Sequence, residues 1–303
     1  MTVQEVSRNI EQVTLTAADG VAIAATLFPA QGVEAGRLII AGATGVPQGF
    51  YRRFAQFASQ RGFTALTLDF RGVGLSKPDK LQGFQASFVD WGRLDLAAAV
   101  DAMADGDVPL YMVGHSFGGQ ALGLLPNHHK VKALYACGLG AGWHGWMPLI
   151  EGMRINLVWN VVLPVLVRWK GYAPMSWLGV GEDLPLGVYR QWKRWCGYRH
   201  YFFDDPAASS VTDAYPQVRT PILAVSAEDD LWALPRSRDA FLAGYRNASV
   251  QTIDLAPRDF GGAIGHMGYF RPAAEPLWTQ ALDWFSGAAA TVPAGARTYE
   301  ATA

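Results

Sequence analysis

Leu110-Tyr111-Met112-Val113-Gly114-His115-Ser116-Phe117-Gly118-Gly119 is the stretch that decides the fold. Apolar residues run into Gly114-x-Ser116-x-Gly118, and an apolar, helix-capable segment follows to Leu125. The pattern predicts a strand over 110–113, a tight turn carrying Ser116, and a helix over 118–125. A serine on so sharp a turn needs glycine on both sides, because a Cβ there would strike the neighbouring strand or helix. The helix that starts at the serine turns its free N–H groups toward any negative charge developing beside it.

Outward from this stretch the chain alternates. Val13–Thr16 and Val21–Phe28 flank Ala18-Asp19-Gly20 and read as a hairpin. Arg37–Ala41 and Phe63–Leu68 read as strands around a helix with Phe50, Phe54, Phe57 and Ala58 on one side, stopped by Gly62. Phe88–Met103 reads as a helix and Lys132–Cys137 as a strand; Pro221–Ser226 and Val250–Leu255 are later strands, Arg236–Tyr245 and Pro276–Phe285 later helices. An opening hairpin followed by repeated β-α units predicts an α/β fold: a mostly parallel central sheet with helices on both faces. Residues 139–206 break the rhythm. Between Trp143 and Pro206 lie seven of the eleven tryptophans, many prolines and no strand pattern, so an inserted helical cap is expected there. The core is then 1–138 with 207–286, and the Ala/Thr/Gly-rich tail 287–303 is expected to be disordered.

Composition excludes several classes. Half of the 303 residues are hydrophobic, 17% are charged, and the formal net charge is −1, so no bulk attraction to nucleic acid is expected. Residues 1–8 have neither a basic nor an apolar stretch, which argues against secretion, and two distant cysteines, Cys137 and Cys196, argue against a disulfide framework. A cytoplasmic setting is expected. The longest apolar run, Ile155–Trp169, is interrupted by Asn156, Asn160, Pro164 and Arg168, so no stable membrane insertion is expected. No His/Cys/Asp cluster has metal-ligand spacing, and Gly72-x-Gly74 lacks the rest of a dinucleotide fingerprint, so neither metal nor cofactor is expected.

In a parallel sheet, ligand chemistry sits just past the carboxyl ends of the strands. Those positions hold Ser116, then Glu228-Asp229-Asp230, then His266 in a glycine-rich loop, and Gly42-Ala43-Thr44-Gly45 after the first parallel strand. The order Ser, Asp, His is that of an α/β-hydrolase triad. The chain resembles the α/β-hydrolase superfamily over 21–137 and 217–285, through Asp69-x-Arg71-Gly72-x-Gly74-x-Ser76 and the Gly-His-Ser-x-Gly-Gly elbow. The wording Ala43-Thr44-Gly45-Val46-Pro47-Gln48 with Phe50-Tyr51-Arg52-Arg53-Phe54 is similar to a little-characterised bacterial branch of predicted α/β hydrolases. One departure is Ala41-Gly42 where the superfamily usually has His-Gly.

A serine hydroxyl needs a base, so Ser116 is the expected nucleophile and His266 the base, with a carboxylate to orient it. The resemblance places that carboxylate at Asp230, where similar hydrolases carry Gly-x-x-Asp, with Asp229 as the alternative. Backbone N–H groups of Phe117 and Ala43 are the expected oxyanion donors. Trp143, Trp146 and Trp159 are candidates for an apolar substrate pocket, the other cap tryptophans for packing. His115 is expected to pack, Asp69 and Arg71 to anchor their loop, and Asp95 and Asp101 to face solvent. The expected function is cofactor-independent hydrolysis of a small-molecule carboxylic ester or thioester. A non-catalytic binder of an apolar ligand and an interfacial lipase are the alternatives.

Overall fold

The computed structural model describes residues 9–287 and the backbone of 297–299. Its sheet contains β1 (Glu11–Thr16), β2 (Ala22–Phe28), β3 (Gly36–Ala41), β4 (Phe63–Leu68), β5 (Leu110–His115), β6 (Val131–Cys137), β7 (Ile222–Ala227), β8 (Val250–Leu255) and β9 (Arg297–Tyr299). They lie in the order β1-β2-β4-β3-β5-β6-β7-β8-β9. From β4 across to β8 every neighbouring pair is parallel, while β1, β2 and β9 join antiparallel. Burial explains the sequence texture. β4 and β7 are buried at every position, which favours apolar and small residues throughout, with Thr64, Thr67 and Ser226 the only polar side chains in them, whereas edge strand β1 has no buried position.

Helix α1 (Arg52–Gln60) turns Phe54, Ala55 and Ala58 onto one face of the sheet and stops before Gly62, whose φ of 86° favours glycine. It shares an apolar core there with Leu277, Leu282 and Phe285 of the last helix. On the opposite face lies the helix α2 (88–103), opened by a reciprocal Ser87–Asp90 capping box. Its middle, Trp91–Leu96, is a π-helical segment. Asp95 on that segment is fully buried, contrary to the solvent-facing position expected for it. It accepts from the Arg71 backbone N–H and guanidinium, so an ion pair explains a buried acid where helical spacing suggested a wet face. Asp101 does face solvent, beside Lys130.

The elbow helix α3 (Phe117–Gln120) is one turn, continued by a tighter turn over Ala121–Leu124, and is shorter than the predicted 118–125. The Gln120 carbonyl accepts from the hydroxyls of Tyr215 and Tyr245 at 2.8 and 3.2 Å, contacts that compete with continued helical bonding. Residues 139–206 contain helices, turns and one isolated bridge, Ala173 to Leu184. Helix α4 (Leu149–Lys170) dominates them and spans 22 residues, long and apolar enough by length and composition to cross a bilayer. The interrupted run expected at 155–169 is thus one continuous helix. Pro164 lacks an N–H, and the π-helical turn Val158–Val162 just before it absorbs the missing bond. Helices α5 (Leu186–Trp195), α6 (Pro235–Leu242) and α7 (Glu275–Phe285) follow, with a single helical turn at Ser209–Thr212 between α5 and α6. Within the tail expected to be disordered, residues 297–299 form β9; 288–296 and 300–303 lie outside the described residues.

Candidate active site

Ser116 stands between β5 and α3 with φ 52° and ψ −112°, one of two non-glycine residues at positive φ among those described. The flanking glycines make that turn possible. A Cβ on Gly118 would lie 2.0 Å from the Ala41 carbonyl oxygen, and one on Gly114 would lie 2.5 Å from the Gly118 backbone. Backbone bonds fix the turn: Ser116 N–H donates to Cys137 O, and Gly118 N–H to Gly42 O. The Phe117 ring is buried against Phe70, Phe88 and Trp91, and its N–H, at the first position of the helix, has no partner among the described residues.

His266 brings its Nδ1 to 3.0 and 2.9 Å from the two carboxylate oxygens of Asp230. Nδ1 therefore carries the proton, and Nε2 is left as the accepting nitrogen. Asp230 is fully buried. Burial pushes its carboxyl upward, but the charge and hydrogen bond of His266, the Tyr269 hydroxyl and the Trp232 N–H prevail and hold it below the usual carboxylate range. Asp229, the alternative, serves the loop instead: its oxygens accept from the N–H groups of Ile264 and Gly265 at 2.9 and 3.0 Å, just before His266. Gly138 ends β6 beside this pair, where an added Cβ would come within 3.0 Å of Asp230 Oδ2.

Ser116 and His266 open on one cavity of about 350 Å³. Its walls come from the core loops and from 139–206, among them Ile155, Val158, Trp159, Leu163 and Trp192. Of the three tryptophans expected to line a pocket, only Trp159 does so. Trp143 and Trp146 pack edge-to-face at 5.5 Å, away from the cavity, with the Trp146 indole donating to Arg199 O and Arg199 lying over its ring. Those contacts account for both side chains. Trp232 does reach the cavity, 5.3 Å from the His266 ring, and its Nε1–H donates to Glu151 of α4. Sequence reasoning missed it; its position two residues past Asp230 was the available signal.

Ala43 is where the expected oxyanion donors need correction. Its N–H donates to Tyr51 Oη at 2.7 Å and is taken. Tyr51 lies 2.9 Å from His115 Nδ1, and His115 Nε2 lies 2.8 Å from the His266 carbonyl oxygen. A carbonyl only accepts, so Nε2 holds the proton and Nδ1 accepts from the tyrosine. His115 is fully buried, and burial together with the charge of His266 lowers its pKa to about 3, so the ring is neutral. Hence His115 packs, as expected, and also ties the first-strand loop to the His266 loop. Thr44, next to Ala43, lines the cavity. Tyr269 was also missed: its hydroxyl accepts from Ala227 N–H and donates to Asp230 Oδ2. Among the described residues no group of three His, Cys, Asp or Glu is placed to hold a metal ion.

Ser116 thus stands on a glycine-flanked elbow, with His266, anchored on Asp230, at the same cavity. Residues 38–293 match the model of the alpha/beta hydrolase family. The chain belongs to that family. Solved structures of similar fold include a soluble variant of monoglyceride lipase from Saccharomyces cerevisiae in complex with a substrate analog, 14% identical with a TM-score of 0.68, covering 95% of this chain and 98% of that one. The esterase domain of a Rhodothermus marinus protein is 17% identical with a TM-score of 0.55, covering 92% and 99%. The thioesterase domain from the curacin biosynthetic pathway is 14% identical with a TM-score of 0.55, covering 91% and 100%. At these identities the likeness is one of fold. No curated protein matches the sequence significantly.

Proposed function

We propose that this α/β hydrolase cleaves carboxylic esters of apolar acyl or aromatic groups through an acyl-enzyme on Ser116. The observation that carries the reading is the meeting of Ser116 and His266 at one apolar-walled cavity, with His266 Nδ1 held on Asp230. His266 Nε2 takes the hydroxyl proton as Ser116 Oγ attacks the carbonyl carbon. The oxyanion forms and collapses, the alkoxide leaves with the proton from His266, and water activated by the same nitrogen releases the acid. Asp230 stays ionised and steadies the imidazolium. The oxyanion is held by the Phe117 N–H and, since Ala43 is engaged by Tyr51, by the Thr44 N–H.

A cavity of about 350 Å³ falls at the small end of pockets that take drug-sized ligands, which suits short to medium acyl groups. Structures of like fold include an esterase, a lipase and a thioesterase, and thioesters need the same machinery. Fluorophosphonate labelling tests the proposal: wild type is labelled and Ser116→Ala is not, and a panel of p-nitrophenyl esters graded in acyl length shows saturable turnover. Absence of labelling in wild type, or equal labelling of Ser116→Ala, overturns it.

A further inference from the structure

Helix α4 is apolar on both sides. Toward the sheet, Leu163 is fully buried and Ile155, Val158 and Trp159 wall the cavity, Trp159 lying 5.8 Å from Tyr189 and 4.8 Å from Trp192. Away from it, Leu149, Met153, Leu157, Val161, Val165 and Trp169 follow at four-residue steps and are each 54–79% exposed. Four-residue steps drift around a regular helix, but the wider π-helical turn at Val158–Val162 lessens the drift. The row runs about 30 Å at 1.5 Å per residue. Little of the helix's most apolar stretch is buried. An exposed apolar patch of this extent marks a surface that meets something.

Charge and aromatic placement indicate what it meets. The helix carries Arg154, Arg168 and Lys170 against Glu151 alone, and Glu151 is engaged by Arg154. At the C-terminal end Lys170 Nζ lies 4.6 and 4.5 Å from the rings of Trp169 and Trp177, both exposed. Tryptophan and lysine at the end of an apolar row suit the headgroup level of a lipid layer. Pairing with a second copy about a two-fold axis would set two helices of like net charge side by side. Spanning the bilayer would strip Leu163 and Trp159 from the cavity wall.

We propose that this face of α4 docks the chain onto an anionic lipid surface, the helix lying in the headgroup plane. The docking does not depend on catalysis. Resting on the ester-hydrolase reading, it further implies that the substrates are apolar acyl esters dissolved in that layer.

Flotation of the full chain carrying Ser116→Ala tests it, with phosphatidylcholine vesicles containing phosphatidylglycerol. The protein floats, and Leu157→Glu/Val161→Glu/Val165→Glu lowers its partition about a hundred-fold or more. The same three substitutions, placed in the wild-type chain, leave turnover of a water-soluble ester unchanged, which shows that the variant is folded. Arg168→Gln/Lys170→Gln weakens binding to the anionic vesicles about ten-fold and leaves binding to pure phosphatidylcholine as it was. The proposal is overturned if the Ser116→Ala chain does not float, if the triple-Glu variant floats equally, or if the chain is a dimer that those substitutions split. Loss of fluorophosphonate labelling with flotation intact removes the ester reading alone; loss of flotation with labelling intact removes the docking alone.

Discussion

The Ala43 N–H donates to the Tyr51 hydroxyl at 2.7 Å, and that contact removes Ala43 from the residues able to hold an oxyanion. Because Tyr51 is fixed in turn by His115, the bond belongs to a buried chain joining three loops of the site. Replacing the Thr44 amide by an ester, which deletes the N–H and little else, is expected to lower kcat about 100-fold or more on a p-nitrophenyl ester. The same replacement at Ala43 leaves the Tyr51 oxygen one donor short and costs about 1–3 kcal/mol of stability, with kcat held within a few-fold. Kinetics beside thermal melts separate the two; a larger kcat loss at Ala43 would return it to the oxyanion hole.

His115 gives the fold a pH dependence of known sign. Its folded-state pKa is lowered from 6.5 to about 3 because burial, first, and the charge of His266, second, disfavour the protonated ring. The unfolded chain binds a proton there below pH 6.5 and the folded chain does not until about pH 3. Its contribution to stability is therefore fully present above 6.5 and falls as the pH drops toward 3, by about 1.4 kcal/mol per pH unit at steepest. His115→Asn, which keeps a donor and an acceptor but binds no proton, is expected to flatten this slope in denaturant titrations. An unchanged slope would mean that other groups set the acid limit.

Much of this was legible in the sequence, for physical reasons. The central parallel strands β4 and β7 are buried on both faces, so they had to be mostly apolar, and the elbow glycines had to be glycine because backbone occupies the space of a Cβ. Ser116, Asp230 and His266 follow because strand ends are where a parallel sheet leaves side chains free. Asp95 was misjudged because helical spacing reports which side a residue faces, not whether an arginine waits there. Trp143 and Trp146 were misjudged for a related reason: a tryptophan-rich segment signals burial, while the choice between packing and lining a cavity depends on tertiary contacts. Tyr51, Trp232 and Tyr269 act through hydroxyl or indole bonds that only the tertiary fold brings together, and helix or strand periodicity does not record those.

Glu151 ties the cavity wall to the loop that carries Asp230. It accepts from the Trp232 indole at 2.9 Å and engages the Arg154 guanidinium, leaving the cavity's arginine neutralised. Arg154 without its carboxylate is a free cation facing substrate. Glu151→Gln is therefore expected to shift selectivity toward esters with an acidic tail, raising kcat/KM for mono-p-nitrophenyl succinate relative to p-nitrophenyl butyrate about ten-fold. Competing steady-state assays on the two esters read the ratio directly, and no change in it would place Arg154 outside substrate reach.

Ser116 sits on a strained turn. At φ 52° and ψ −112° a residue with a Cβ sits in a sparsely populated region, at a cost of about 1–3 kcal/mol. Ser116→Ala deletes the hydroxyl and keeps the Cβ, so it abolishes labelling and leaves the strain. Ser116→Gly deletes both. Glycine gives back about 0.5–1 kcal/mol through the greater freedom of the unfolded chain, so a net gain of about 1 kcal/mol over Ser116→Ala remains. In a chain of this size that is about 2 °C in Tm. Calorimetry on the two variants, with wild type alongside, isolates the backbone contribution because neither carries the Ser116 hydroxyl. Equal melting temperatures for alanine and glycine would limit the strain at Ser116 to the roughly 0.5–1 kcal/mol that the freer unfolded glycine chain offsets.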